Sequence, residues 1–281
     1  RQLVLLLDGT NNKFQGYHAD TNVVKIGSLL DRENPKQRVF SFVYRRGVGT
    51  YGDTSTVTWT HYFEACWEQI TGNTIDLQVM NAYEFLMDHY VKHDKIFLFG
   101  FSRGAYAARL LCGMIYYFGL IPPGNRCEIE HIWARYKHLT GAGKVPGGER
   151  EQRALEFKNT FGRYVDIHFL GVFDTVSSVS SGLGGLGPIQ YFRNAKSMVN
   201  ARHVRHAKAL DERRVGFQNV AVRTSKEKDK RWPDQSVVEM WFPGDHCDVG
   251  GGYEAKKPVD PDDNYYLASD IPLHWMVTEA V

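Results

Sequence analysis

The chain has 281 residues, 43% of them hydrophobic and 13% aromatic, enough to bury one large core. Charged residues make up 23% and the formal net charge is +2, without the basic excess that a nucleic-acid partner asks for. The four cysteines, Cys66, Cys112, Cys127 and Cys247, have neither metal-type nor disulfide-framework spacing, and no run approaches the roughly 18–20 apolar residues of a membrane-spanning helix. This favours a reducing compartment. No secretory signal opens the chain, so a cytoplasmic location is expected, with secretion by a dedicated machine left open.

Leu3 to Leu7 is a continuous apolar run ending in Asp8-Gly9-Thr10, the pattern of a strand buried on both faces. Thr21 to Leu30 has apolar residues at helical spacing, with Asp20 or Thr21 as N-cap. Val39 to Tyr44 reads as the next strand and runs into "RRGVGTYG". Ile75, Val79, Tyr83, Leu86 and Tyr90 mark a helix over 74–90. A strand over Lys95–Phe99 leads into a helix from Arg103 to about Phe118. Two further strands are expected over Val165–Phe173 and Val237–Phe242.

Two regions interrupt this alternation. Pro122 to Phe161 is polar and helical in pattern, and 177–232 begins rich in Ser and Gly before turning basic. The stretch from Arg202 to Arg231 reads as a solvated helix face followed by an exposed loop, with attraction to anionic lipid headgroups as its functional alternative. The expected fold is α/β: a mostly parallel central sheet flanked by helices, in one domain over 1–281, with insertions at about 122–161 and 177–232. Ligands of such folds bind at the carboxyl ends of the strands, which makes the insertions candidates for a lid or a binding wall.

The stretch "FLFGFSRGAYAARLL", Phe97 to Leu111, places Ser102 between Gly100 and Gly104 where a buried strand turns into a helix. That is the context of a Gly-x-Ser-x-Gly nucleophile elbow. A serine hydroxyl needs a base, and the base needs an orienting acid. Asp174 ends the strand "IHFLGVFDTV" and His246 follows "VVEMWFPGD", so Ser102, Asp174 and His246 occur in the expected chain order just past strands. Asp245 and Asp248 flank His246 and compete with Asp174 as the acid, with turn formation or helix capping as their plainer role. His203 and His206 fall in the stretch read as helical and basic. The amide of Arg103 is one candidate oxyanion donor; Gly9 and Thr10 supply the second, with Asp8 orienting their loop. A rival reading gathers Asp8, Asp174, His246 and Asp248 as ligands of a metal phosphohydrolase, but leaves the serine elbow unexplained.

The blocks "LLDGTNN", "TNVVKI", "RRGVGT", "NAYEFLMDHY", "IFLFGFSRGAYAARLL", "GVFDTV", "HAKALDERR", "WFPGDHCDVGGGY" and "DIPLHWM" resemble, in order, the signature blocks of one long-uncharacterised α/β-hydrolase family. That family includes the catalytic domain of type VI secretion phospholipase effectors and many fungal proteins. The resemblance implies a serine esterase or phospholipase with Ser102, Asp174 and His246 as its triad. This chain reads "GDHCDVGGG" where the family more usually has "GVHSDVGGG", which adds the carboxylate of Asp245.

The expectation is a serine hydrolase of carboxylic esters, foremost lipid or phospholipid acyl esters, working through an acyl-enzyme without a cofactor. Its partners would be an ester or lipid substrate and a membrane surface contacted peripherally. A small-acyl esterase or deacetylase, a metal-dependent phosphohydrolase and a noncatalytic binding domain are the alternatives. An acyl groove would be walled by Gly119–Gly124, Ser177–Pro188 and the aromatics Tyr51, Tyr106 and Tyr253.

Overall fold

The computed structural model describes residues 1–9, 19–31, 33–42, 73–140, 148–176, 200–213, 220–222, 234–253 and 267–281. Six parallel strands, β1 (Gln2–Leu7), β2 (Gln37–Phe42), β3 (Lys95–Phe101), β4 (Ile167–Phe173), β5 (Ala201–Ala209) and β6 (Ser236–Phe242), form one sheet in the order β2-β1-β3-β4-β5-β6. Leu7 stands opposite both Phe42 and Gly100, so β1 is paired on both edges. From β1 the chain goes first to one side and then to the other, so the crevice between the carboxyl ends of β1 and β3 is a topological switch point.

The apolar run of β1 serves two cores because side chains alternate across a sheet. Leu3, Leu5 and Leu7 join the core under α2 (Asn73–His89), α3 (Arg103–Phe118), α4 (Cys127–Thr140) and α5 (Glu149–Phe161). Val4 and Leu6 join Val23 and Ile26 of α1 (Asn22–Leu29) and Leu273 and Met276 of α7 (Asp270–Ala280) on the other face. A short helix, α6 (His246–Gly250), follows β6. The expected α/β architecture is what forms.

Thr21 caps α1 by accepting from the Val24 amide at 3.3 Å. Asn22 Nδ2 donates to Val249 O and Ser269 O, tying the start of α1 to α6 and α7. Fully covered Lys25 pairs with Asp270 at 2.8 Å between α1 and α7.

Three expectations need correction. The basic stretch around His203 is not a helix face but β5, inside the sheet between β4 and β6, so the insertion expected over 177–232 is interrupted by sheet. Its charges are compensated in place: Arg205 pairs with Glu279, and Lys208 lies 3.9 Å over the Trp241 ring and 3.7 Å from Glu239. Second, Gly119–Gly124 follows the far end of α3, which at 1.5 Å per residue is about 24 Å from Ser102. There Leu120 bridges to Arg163, bracketing the segment that carries α4 and α5 rather than an acyl groove. Third, Tyr106 is fully buried in the core. Tyr51 and Ser177–Pro188 lie outside the described residues.

Candidate active site

The turn from β3 into α3 brings backbone segments too close for side chains at its two glycines. A Cβ on Gly100 would stand 2.6 Å from Ala105 Cα, and one on Gly104 only 2.0 Å from Leu7 O. Glycine at 104 therefore lets the first turn of α3 lie directly on the end of β1. Between them Ser102 holds φ 58° and ψ −122°, in the left-handed half of the backbone map that a residue with a Cβ rarely enters. The conformation is over-determined by its neighbours: Ser102 N donates to Phe173 O at 3.1 Å, and Ser102 O accepts from Tyr106 N at 3.2 Å. Ser102 is 8% exposed, more covered than a hydroxyl standing clear of the sheet.

Asp174 follows β4 and is the second non-glycine residue of the site with positive φ, 34°. Its amide donates to Ala207 O at 2.7 Å and its Oδ1 accepts from Ala209 N at 3.0 Å, so β5 grips both ends of the residue. Its Oδ2 lies 2.6 Å from His246 Nδ1, in a pair buried on both sides. His246 opens α6. Asp245 is its N-cap, accepting from Cys247 N and Asp248 N, while Asp248 Oδ2 accepts from Asp245 N. The two flanking carboxylates thus form a reciprocal capping box, and the carboxylate on the imidazole is that of Asp174.

Phe101, the residue before Ser102, lies against the His246 ring with centroids 4.6 Å apart. The strand that carries the serine therefore also backs the histidine. Arg103 is the first residue of α3, at the positive end of that helix dipole. The expected second donor behaves differently. Gly9 N–H is taken by Asp8 Oδ1 at 2.7 Å, while Asp8 Oδ2 accepts from Thr21 Oγ1 at 2.9 Å and Asp8 O from Gln78 Nε2 at 2.9 Å. Asp8 does orient the loop after β1, but it uses the Gly9 amide to do so. Thr10 lies outside the described residues. Among the described residues, no group of three or more His, Cys, Asp or Glu is gathered as metal ligands.

Tyr253 donates to Asp245 Oδ2 at 2.6 Å, on the solvent side of the capping box. Burial, and then the Asp245 carboxylate, push its phenol well above the ordinary range.

Sequence reasoning missed a second layer. His206 stands opposite Val172 on β4 and Glu239 on β6. Its Nδ1 lies 2.8 Å from Glu239 Oε1, and its Nε2 accepts from Thr175 N at 3.3 Å. Arg109, fully buried on α3, donates to Val220 O and Ala221 O. The available signal was Glu239 itself, a lone acid within the apolar strand "VVEMWF".

The family profile of the type VI secretion phospholipase effector Tle1-like catalytic domain matches residues 1–279. The uncharacterized Saccharomyces cerevisiae protein YEL023C is 33% identical over 230 residues, which cover 78% of this chain and 32% of that protein. A solved structure of an uncharacterized protein from Pseudomonas aeruginosa covers 99% of this chain and 45% of its own at 16% identity, with a TM-score of 0.46. The Tle1 effector bound to the VgrG spike of the type VI secretion system covers 90% of this chain and 51% of its own at 18% identity, with a TM-score of 0.38. The chain thus spans about a third of the yeast relative and about half of each solved chain.

Proposed function

The chain belongs to the family of Tle1-like catalytic domains of type VI secretion phospholipase effectors, and from that premise we propose that it is a serine hydrolase of lipid acyl esters on an α/β-hydrolase scaffold. The observation that carries the reading is the buried 2.6 Å pair of Asp174 and His246 beside the strained turn of Ser102. In this mechanism His246 Nε2 takes the proton from Ser102 as its oxygen attacks the acyl carbon. Asp174 holds the proton on Nδ1 and stabilises the imidazolium that forms. The Arg103 amide at the start of α3 stabilises the tetrahedral oxyanion. His246 then returns the proton to the leaving alcohol, and water releases the acyl group by the reverse route. No step calls for a cofactor. The substrate is met at a membrane surface that the protein contacts peripherally.

The test is labelling with a fluorophosphonate, which reacts with an activated serine. Stoichiometric labelling of the wild type, lost in Ser102→Ala, is expected. A wild type that resists labelling, or an S102A variant that keeps ester hydrolysis, would sink the reading.

A further inference from the structure

We propose that His206 and Glu239 form a positioning relay that sets the triad acid, acting on Asp174 through the backbone amide of Thr175. The inference rests on the functional reading above for its catalytic consequence, and on geometry for the relay itself.

Asp174 needs a restraint because its backbone lies at φ 34°, a conformation that strains a side-chain-bearing residue. The residue on its carboxyl side is the natural place to apply one. Thr175 N–H points to a side chain, His206 Nε2, at 3.3 Å. An imidazole nitrogen accepts only when it carries no proton, so this contact requires His206 to be neutral with its proton on Nδ1. Glu239 selects that tautomer: its Oε1 lies 2.8 Å from Nδ1 and has no proton of its own to give. Val222 N donates to the same Oε1 at 2.9 Å, which fixes the carboxylate in turn.

The relay therefore runs across three strands, from Glu239 on β6 through His206 on β5 to the turn after β4. It repeats, one layer down, the acid–histidine arrangement of Asp174 and His246. His206 is fully buried, and every element around it bears on its charge. Burial holds its pKa below the usual histidine value; Arg109 of α3 pushes the same way, while Glu239 and Asp174 oppose. Lys208 of β5 reaches Glu239 at 3.7 Å. A protonated His206 would lose its acceptor and face the Thr175 amide with a second donor. Neither His206 nor Glu239 touches the reacting atoms, so both are positioning residues.

The experiment uses the whole chain with three variants. His206→Leu removes the acceptor. His206→Gln restores one, because the Gln amide oxygen can accept from Thr175 N–H while its NH2 faces Glu239. Glu239→Gln keeps the volume and removes the charge that selects the tautomer. Two readouts are taken: steady-state kinetics on a p-nitrophenyl ester, and the low-field proton NMR signal of the Asp174–His246 hydrogen bond, assigned with nitrogen-15-labelled histidine.

Expected for H206L is a fall in kcat of about 100-fold with KM within about twofold, because the acid is displaced and not the substrate. H206Q should recover at least tenfold of that loss, and E239Q should lie between wild type and H206L. The low-field signal should move or vanish in H206L and return in H206Q. Should H206L and E239Q lose only melting temperature, with wild-type kcat and an unmoved low-field signal, the relay is overturned and the pair is packing. The NMR readout needs no substrate. A signal that responds to His206 in a protein without esterase activity would uphold the relay and sink the functional reading instead.

Discussion

Phe101 lies against His246, with ring centroids 4.6 Å apart and planes tilted by 32°, and Gly250 makes that contact possible. A Cβ at position 250 would come within 1.9 Å of the Phe101 ring, so any side chain there must displace Phe101 from its place against the histidine. Gly250→Ala is expected to lower stability by about 1–3 kcal/mol through overpacking. It should also lower kcat by about tenfold or more, with KM little changed, because the imidazole loses its rest position. Thermal melts and ester kinetics on the same preparation check both. A G250A protein with wild-type kcat would show that the Phe101 contact does not hold the ring for catalysis.

Ser102 carries the strain of the turn, so the hydroxyl and the backbone can be separated by substitution. Ser102→Gly should abolish hydrolysis and at the same time raise the melting temperature, since glycine enters φ 58° without the cost of roughly 1–3 kcal/mol that a Cβ brings. Ser102→Ala should lose activity without that gain. Equal melting temperatures for the two variants would mean that the turn is not strained.

Asp174 and the flanking carboxylates should separate in the same way. Asp174→Asn is expected to cut kcat by about four orders of magnitude, the size seen when an orienting acid is neutralised in a serine triad. Asp245→Asn should cost mainly stability, at most about 1 kcal/mol, because its oxygens cap α6 and hold the Tyr253 hydroxyl. A kcat loss in D245N as deep as that in D174N would overturn the assignment of the acid.

The elements that sequence made legible are those whose pattern is local. The run Leu3–Leu7 is apolar because both faces are covered. The helix from Arg103 to Phe118 ends at Gly119, whose φ is 68° and whose amide caps Ile115 O. That Ser102, Asp174 and His246 each come shortly after a strand end was legible because the strands before them carry apolar runs. What stayed hidden depends on partners far away in the chain. "ARHVRHAKA" does not look like an inner strand until Glu239, Glu279 and Trp241 are in place to receive Arg205, His206 and Lys208. The second layer of the site failed for the same reason: Glu239 and His206 are 33 residues apart and meet only through sheet register. Nor does any pattern say that Asp8 takes the Gly9 amide.

Three histidines with lowered pKa values contribute to stability between about pH 6.5 and 4. Burial, with Lys95, His203 and Arg202 adding to it, holds His168 down at about 4 from an ordinary 6.5. His203 and His206 are lowered as well, burial being the largest cause in each. A histidine with a depressed folded pKa takes its proton later than the unfolded chain does. Stability is therefore fully present above about 6.5 and declines as pH falls toward about 4. The melting temperature should fall over that window, and His168→Gln should flatten the decline. An H168Q curve parallel to wild type from pH 7 to pH 4 would remove His168 from this account.

Under the proposed function an acyl chain needs apolar cover, and of the aromatics expected to wall it, Tyr253 is the one that the described residues place beside Asp245 and His246. Its hydroxyl is tied to Asp245 and the residue is 38% exposed, so it presents an apolar face seven residues along the chain from His246. Each buried methylene stabilises by about 0.8 kcal/mol, roughly fourfold in kcat/KM per added carbon while the chain still finds apolar cover. On p-nitrophenyl esters the wild type should therefore climb from acetate toward octanoate. Tyr253→Ala should flatten that climb at the longer chains and leave acetate within about threefold, since removing the wall affects only carbons that reach it. Tyr253→Phe cuts the tether but keeps the face, so it should retain the slope. A wild-type maximum at acetate would turn the substrate toward small acyl groups with the triad intact. A Y253A slope equal to wild type would move the acyl wall away from Tyr253.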